Sequence, residues 1–234
     1  MYFDWTYIIL VLPFVILSMI ASARVNASFK KYSEVFSRRG LTAHEAALRV
    51  LQDNGVSDVR IERVQGHLTD HFDPRKNVIR LSENVHDSSS VAAIGVACHE
   101  AGHAVQHAKG YIPVKIRTAI VPITNIGSKL SIPLIFVGIA LSYLGEMYSM
   151  IAYIGVALFS LCVIFQLVTL PTEFNASRRA IHALSSSGIL DETELNGAKK
   201  VLSAAAMTYV AALAVTVMQL LRLLLLVNNS RRRN

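Results

Sequence analysis

Four apolar blocks, residues 3–23, 127–145, 150–170 and 204–227, leave this chain few ways to fold. Each is close to the roughly 20 helical residues that cross about 30 Å of hydrocarbon. In lipid a lone segment must satisfy its own backbone hydrogen bonds, which a helix does. The expectation is a mainly α membrane protein with about four transmembrane helices. With 53% of residues apolar and 17% charged, the composition fits that class.

The first block, 3–23, reads as an uncleaved anchor. Trp5 and Tyr7 lie near one end, where amphipathic rings favour the interface. A secretory signal would carry a basic start and an apolar run of about 7–15 residues, whereas here Asp4 is acidic and the run is longer. Blocks two and three are joined by a short connection containing Glu146, so residues 127–170 are expected to form a transmembrane hairpin. The last span, 204–227, contains Arg222 close enough to its end to snorkel.

Arg24, Lys30, Lys31, Arg38 and Arg39 follow the first span closely, and the hairpin connection has no Lys or Arg. The positive-inside rule then makes the region after the anchor cytoplasmic, together with residues 171–203. The same count puts the basic tail, 228–234, with Arg231, Arg232 and Arg233, on the other side, against the rule. The formal charge of +7 sits mostly beside spans. Anionic lipid headgroups of the bilayer account for it, and no nucleic acid partner is expected. Cys98 and Cys162 have no paired spacing, so both are expected as reduced thiols.

Between the spans the pattern changes. Residues 24–126 read as a membrane-proximal catalytic region: helices over 27–39 and 42–54, the latter closed by Gly55, then an alternating strand over 59–64. An Asp73-Pro74 turn precedes a short β-branched run at 78–81, expected to be an edge strand that could receive an extended substrate. Ser88, Ser89 and Ser90 are N-cap candidates for a small-residue helix over 91–108, closed by Gly110.

That helix contains His99-Glu100-Ala101-Gly102-His103. In the HExxH pattern two imidazoles one turn apart face the same way and can share a zinc, and the intervening Glu can contact a metal-bound water as general base. The Ala and Gly spacers are small enough to pack against another element. Catalytic zinc usually takes a third protein ligand. His107 lies one turn on, but the elongated three-histidine motif needs Gly and His where this chain has Gln106 and Lys109, so His107 reads as a surface or supporting residue. Glu173, just past the third block in residues 171–203, is the better candidate. It could equally favour the positive start of a helix or pair with Arg178.

Three stretches, 68–74, 93–106 and 165–177, resemble the YugP-like neutral zinc metallopeptidases of bacterial membranes, which are distantly similar to HtpX-like proteases and CAAX prenyl endopeptidases. The resemblance covers nearly the whole chain. It implies one Zn2+ held by His99, His103 and Glu173, with Glu100 catalytic, in a small α+β, zincin-like unit. Ser177 stands where the distant relatives carry an Asp that bonds a ligand histidine, so Asn175 or Ser177 is expected to orient His99 or His103. Arg178 and His182 are candidates to stabilise developing negative charge. The function expected is a membrane-integrated endopeptidase of the bacterial cell membrane. Its active site faces the cytoplasm, and its substrates are membrane-associated polypeptides. The alternatives are a non-catalytic zinc-bearing scaffold and, more weakly, a metal carrier. Nothing in the pattern specifies an oligomeric state.

Overall fold

A computed structural model describes residues 5–231. Residues 3 and 4 of the first expected block, and Arg232 and Arg233 of the tail, lie outside the described residues. The fold is mainly helical: α1 (Leu12–Ser33, entered through a π-helical turn, Tyr7–Val11), α2 (Ala43–Asp53), β1 (Arg60–Val64), β2 (His71–Asp73), β3 (Val78–Ser82), α3 (Glu83–His86), α4 (Val91–Ala108), α5 (Ile112–Leu141), α6 (Glu146–Ser186) and α7 (Glu192–Arg231). Among the described residues four helical stretches, Tyr7–Ser33, Ile112–Leu144, Glu146–Ser186 and Glu192–Ser230, are long and apolar enough to cross a membrane.

The chain divides into two compact units. The first, Met1–Ile20, Ile116–Leu170 and Thr208–Asn234, is helical in its described residues apart from the turn at Gly145. Here α5 and α6 form the expected hairpin, turning through Ser142–Leu144 and Gly145, whose φ of 140° suits a residue without a side chain. Small residues let the two helices approach: a Cβ on Gly155 would stand 2.7 Å from the Ser131 carbonyl oxygen. Ile135 of α5, Ala152 and Val156 of α6, and Leu223 and Val227 of α7 form one buried cluster. Arg222 lies over the Tyr7 ring, 5.2 Å from its centroid, an arrangement favoured by the ring's negative face.

The second unit, Ala21–Lys115 and Pro171–Met207, holds the polar elements. A capping box starts α2, with Thr42 and Glu45 each accepting from the other's backbone N–H, and Ala46, Ala47, Val50 and Leu51 are buried. Ser90 caps α4 by accepting from Ala93 N at 3.3 Å, and Gly110 follows at φ 63°. Asp191 and Glu194 form the same reciprocal pair at the start of α7, at 2.8 and 2.9 Å.

Several elements end elsewhere than their local sequence suggests. The helix expected over 27–39 is the end of α1 and stops at Ser33. Beyond it the chain extends and pairs with the approach to α4, Val35 accepting from Val91 N at 2.8 Å and Ser37 N donating to Ser89 O at 2.9 Å. That tertiary pairing outcompetes continued helix. α5 starts at Ile112, well before the second apolar block, and α6 runs unbroken from the third block through Pro171 to Ser186. α7 likewise joins the residues before 204 to the last block in one helix.

The sheet corrects one reading outright. The expected edge strand is the central one: the order is β1-β3-β2, with β3 parallel to β1 and antiparallel to β2. Both sides of β3 are occupied, so it cannot receive a substrate strand. Val78, Ile79 and Leu81 are fully buried, as a middle strand covered on both faces requires. The Asp73 turn, in which the side chain accepts from Arg75 N and Lys76 N, folds β2 back onto it. Substituting Ile79→Pro is therefore expected to damage folding rather than only cleavage. The loss of the buried side chain alone is worth about 2–5 kcal/mol by analogy with Ile→Ala, and a ladder donor goes with it. Limited proteolysis of the purified variant in detergent should show the second unit degraded under conditions that leave the wild type intact.

Candidate metal centre

The centre is built where α4 crosses α6. The small residues of α4 make the crossing close: a Cβ on Gly102 would stand 2.7 Å from the Ala176 carbonyl oxygen. Two turns earlier along the same face of α4, a Cβ on Gly95 would stand 3.4 Å from the Ala198 Cβ of α7. The closeness at Gly102 lets one carboxylate of α6 reach two side chains of α4.

His99 Nε2 and His103 Nε2 are 3.1 Å apart, and Glu173 Oε2 lies 3.4 Å from the first and 3.5 Å from the second. The two rings meet edge to face, their planes at 86°. Glu173 is 3% exposed, and the imidazoles 15% and 14%, so the carboxylate sits beneath two rings that still reach solvent. Glu173 is well inside α6, away from the positive start of the helix, which removes the helix-dipole explanation for it.

Three donors at zinc's usual N and O distances of about 2.0–2.1 Å, arranged tetrahedrally, stand about 3.3 Å apart. The observed triangle has that size, which a cation fits. The donors' outer hydrogen bonds point the same way. His103 Nδ1 is 3.0 Å from Gln106 Oε1, and His99 Nδ1 is 3.1 Å from Ser177 Oγ. An imidazole whose Nδ1 donates presents a lone pair at Nε2. Burial works against a charged His103, but the carboxylates of Glu173 and Glu100 outweigh it and raise its affinity for positive charge above that of an ordinary histidine. His99, His103 and Glu173 thus form a group able to hold a metal ion.

Glu100 is 8% exposed on the turn that carries both histidines. Ser177 meets His99 directly, whereas Asn175 reaches His103 only through Gln106, whose Nε2 donates to Asn175 Oδ1 at 2.9 Å. Gln106 was visible in the sequence as a residue one turn after His103, yet its task depends on what α6 places opposite it. Arg178 and His182 are exposed and line a cleft of about 360 Å³ with Val50, Asp53 and Gly102, and none of the three donors lines that cleft. His107 packs against Phe72, with ring centroids 5.8 Å apart, and is not one of the donors. Cys98 is fully buried, and burial pushes its thiol up, so it offers no thiolate at neutral pH.

Fold and site together define a class: a chain with four helices of membrane-spanning length among its described residues and a two-histidine, one-glutamate group able to hold a metal ion. The chain belongs to the family described as "Putative neutral zinc metallopeptidase", which it matches over residues 7–228. It is 46% identical over 218 residues to "Putative membrane protease YugP" of Bacillus subtilis (strain 168), covering 93% of this chain and 95% of that protein. No solved structure matches it. Zinc is accordingly the metal that this family and these donors imply.

Because the crossing depends on a missing side chain, Gly102→Val is expected to push α6 from α4 and separate Glu173 from the histidines. Metal analysis of the purified variant should show zinc well below the wild-type stoichiometry while circular dichroism still reports helix.

Proposed function

We propose that the protein is a membrane-integrated zinc endopeptidase that hydrolyses peptide bonds in membrane or membrane-proximal polypeptides at the cytoplasmic face. The observation that carries this reading is the triangle of His99, His103 and Glu173, whose spacing and hydrogen bonding suit a catalytic rather than a closed structural zinc. Three protein ligands leave a fourth position for water or substrate. When bound there, zinc supplies a Lewis acid and lowers the pKa of water to about 7.

The residues of the chain have separable tasks in this reading. His99 and His103 donate neutral nitrogen, and Glu173 brings one negative charge that partly neutralises the ion. Glu100 is the general base. It lies beside His99 on the same helix, and its shielding from solvent keeps its charge effective at short range. It accepts the proton of the attacking water and returns it to the leaving amine. Such proton transfer by a positioned side chain contributes about 10²–10⁴-fold to rate.

The membrane assignment of the substrate rests on α6, one helix that carries both an apolar run of spanning length and Glu173. A helix anchored in lipid keeps its ligand with polypeptides that share the bilayer. The cytoplasmic orientation follows the basic residues Arg24, Lys30, Lys31, Arg38 and Arg39 after the first span.

The Glu100→Gln variant tests the enzyme reading against a zinc-bearing scaffold. Its amide keeps the size of the side chain and removes the base. Zinc content should stay at the wild-type level while hydrolysis of an unfolded membrane-protein substrate falls by at least about 10²-fold. Retention of full hydrolysis, or of every cellular effect, contradicts the assignment.

A further inference from the structure

A chain of hydrogen bonds leads away from the metal centre and ends on a residue that can only donate. Arg179 Nε donates to Asn175 Oδ1 at 2.8 Å, Gln106 Nε2 donates to the same oxygen at 2.9 Å, and Gln106 Oε1 faces His103 Nδ1 at 3.0 Å. Gln106 is completely buried, and its second amide proton goes to the Thr172 carbonyl oxygen at 2.8 Å.

Oxygen and nitrogen of an amide side chain look alike in outline, so a network must decide which is which. Here the decision starts at Arg179. A guanidinium has five N–H donors and no acceptor, so the Asn175 atom facing it must be the oxygen. That oxygen can only accept, so Gln106 must present its NH2 there. The Gln106 oxygen is then left for His103, whose Nδ1 must carry the proton. The lone pair of His103 is thereby placed on Nε2, the atom 3.5 Å from Glu173 Oε2. Thr172 O enforces the same orientation of Gln106 a second time, because a flipped amide would set oxygen against two oxygens.

We propose that Arg179, through Asn175 and Gln106 and together with the Thr172 carbonyl, is a positioning residue that fixes the tautomer and ring orientation of His103 for metal binding. The proposal rests on the reading of His99, His103 and Glu173 as ligands. His99 is held differently. Its partner Ser177 Oγ can donate or accept, so that contact orients the ring without dictating its proton. The two ligand histidines thus differ, and the dictated one is His103.

The test uses the full-length protein in detergent, with zinc affinity measured by competition with a chromophoric chelator and Co2+ substituted to read ligand geometry by visible absorption. Gln106→Met, which removes the acceptor in a buried position, should weaken zinc binding by roughly 10–100-fold, the usual effect of losing a ligand's outer partner. Arg179→Met should weaken it less and shift the Co2+ bands. Arg179→Lys, which also only donates, should stay near wild type. The Arg179→Met, Gln106→Met double variant should be no weaker than Gln106→Met alone, since both act through one bond to His103. Asn175→Leu serves as an independent break in the chain should Arg179→Met fold poorly, with the same expected outcome. Wild-type affinity and Co2+ bands in Arg179→Met or Asn175→Leu, or losses that multiply in the double variant, would overturn the proposal. A wild type that takes up no zinc would instead overturn the metal reading beneath it, so the two failures are distinguishable.

Discussion

The site depends on a carboxylate held out of water. Glu173 is 3% exposed, and taking an ionised group into such surroundings costs several kcal/mol unless opposite charge meets it. Two imidazole nitrogens converge on the same point at 3.4 and 3.5 Å. All three groups offer electron pairs, and a divalent cation satisfies them together. Holding the donors this close before the metal arrives requires two helices to touch, and that requirement explains the small-residue character of α4. Ala97, Ala101 and Ala104 are buried along it, and Gly102 leaves room for the backbone of α6. The stability sacrificed by glycine inside a helix is exchanged here for the distance between Glu173 and the histidines.

Behind the donors, each histidine is tied at its other nitrogen, His99 by Ser177 and His103 by Gln106. Both ties involve α6, directly or through Asn175. One helix therefore supplies a ligand, a partner for one ligand histidine and the anchor of the partner for the other. The same helix contains an apolar run long enough to cross a bilayer.

Much of this was legible from local pattern. The apolar blocks marked the four long helices because hydrocarbon crossing demands length and apolarity, both of which are local properties. Ser90, Gly55 and Gly110 marked helix ends because caps act on their own turn. The two histidines one turn apart marked α4 because i and i+4 share a face. What escaped was set by partners distant in sequence. Nothing near Ser33 says that the next residues will pair with the approach to α4. The run at 78–81 resembled an edge strand until β1 and β2 were seen on either side of it. Glu173 resembled a helix start because it lies just past an apolar block, yet α6 continues from that block through Pro171. Gln106 first looked like a departure from a longer motif. Its meaning came from Thr172 and Asn175, more than sixty residues further along the chain.

Everything in the site turns on one zinc held by two imidazoles and one carboxylate. X-ray absorption at the zinc edge on the purified protein reads that directly. One zinc per chain is predicted, with only nitrogen and oxygen neighbours at about 2.0–2.1 Å and the multiple-scattering pattern of two imidazoles. A sulfur neighbour at about 2.3 Å, or a pattern without imidazole, would contradict it.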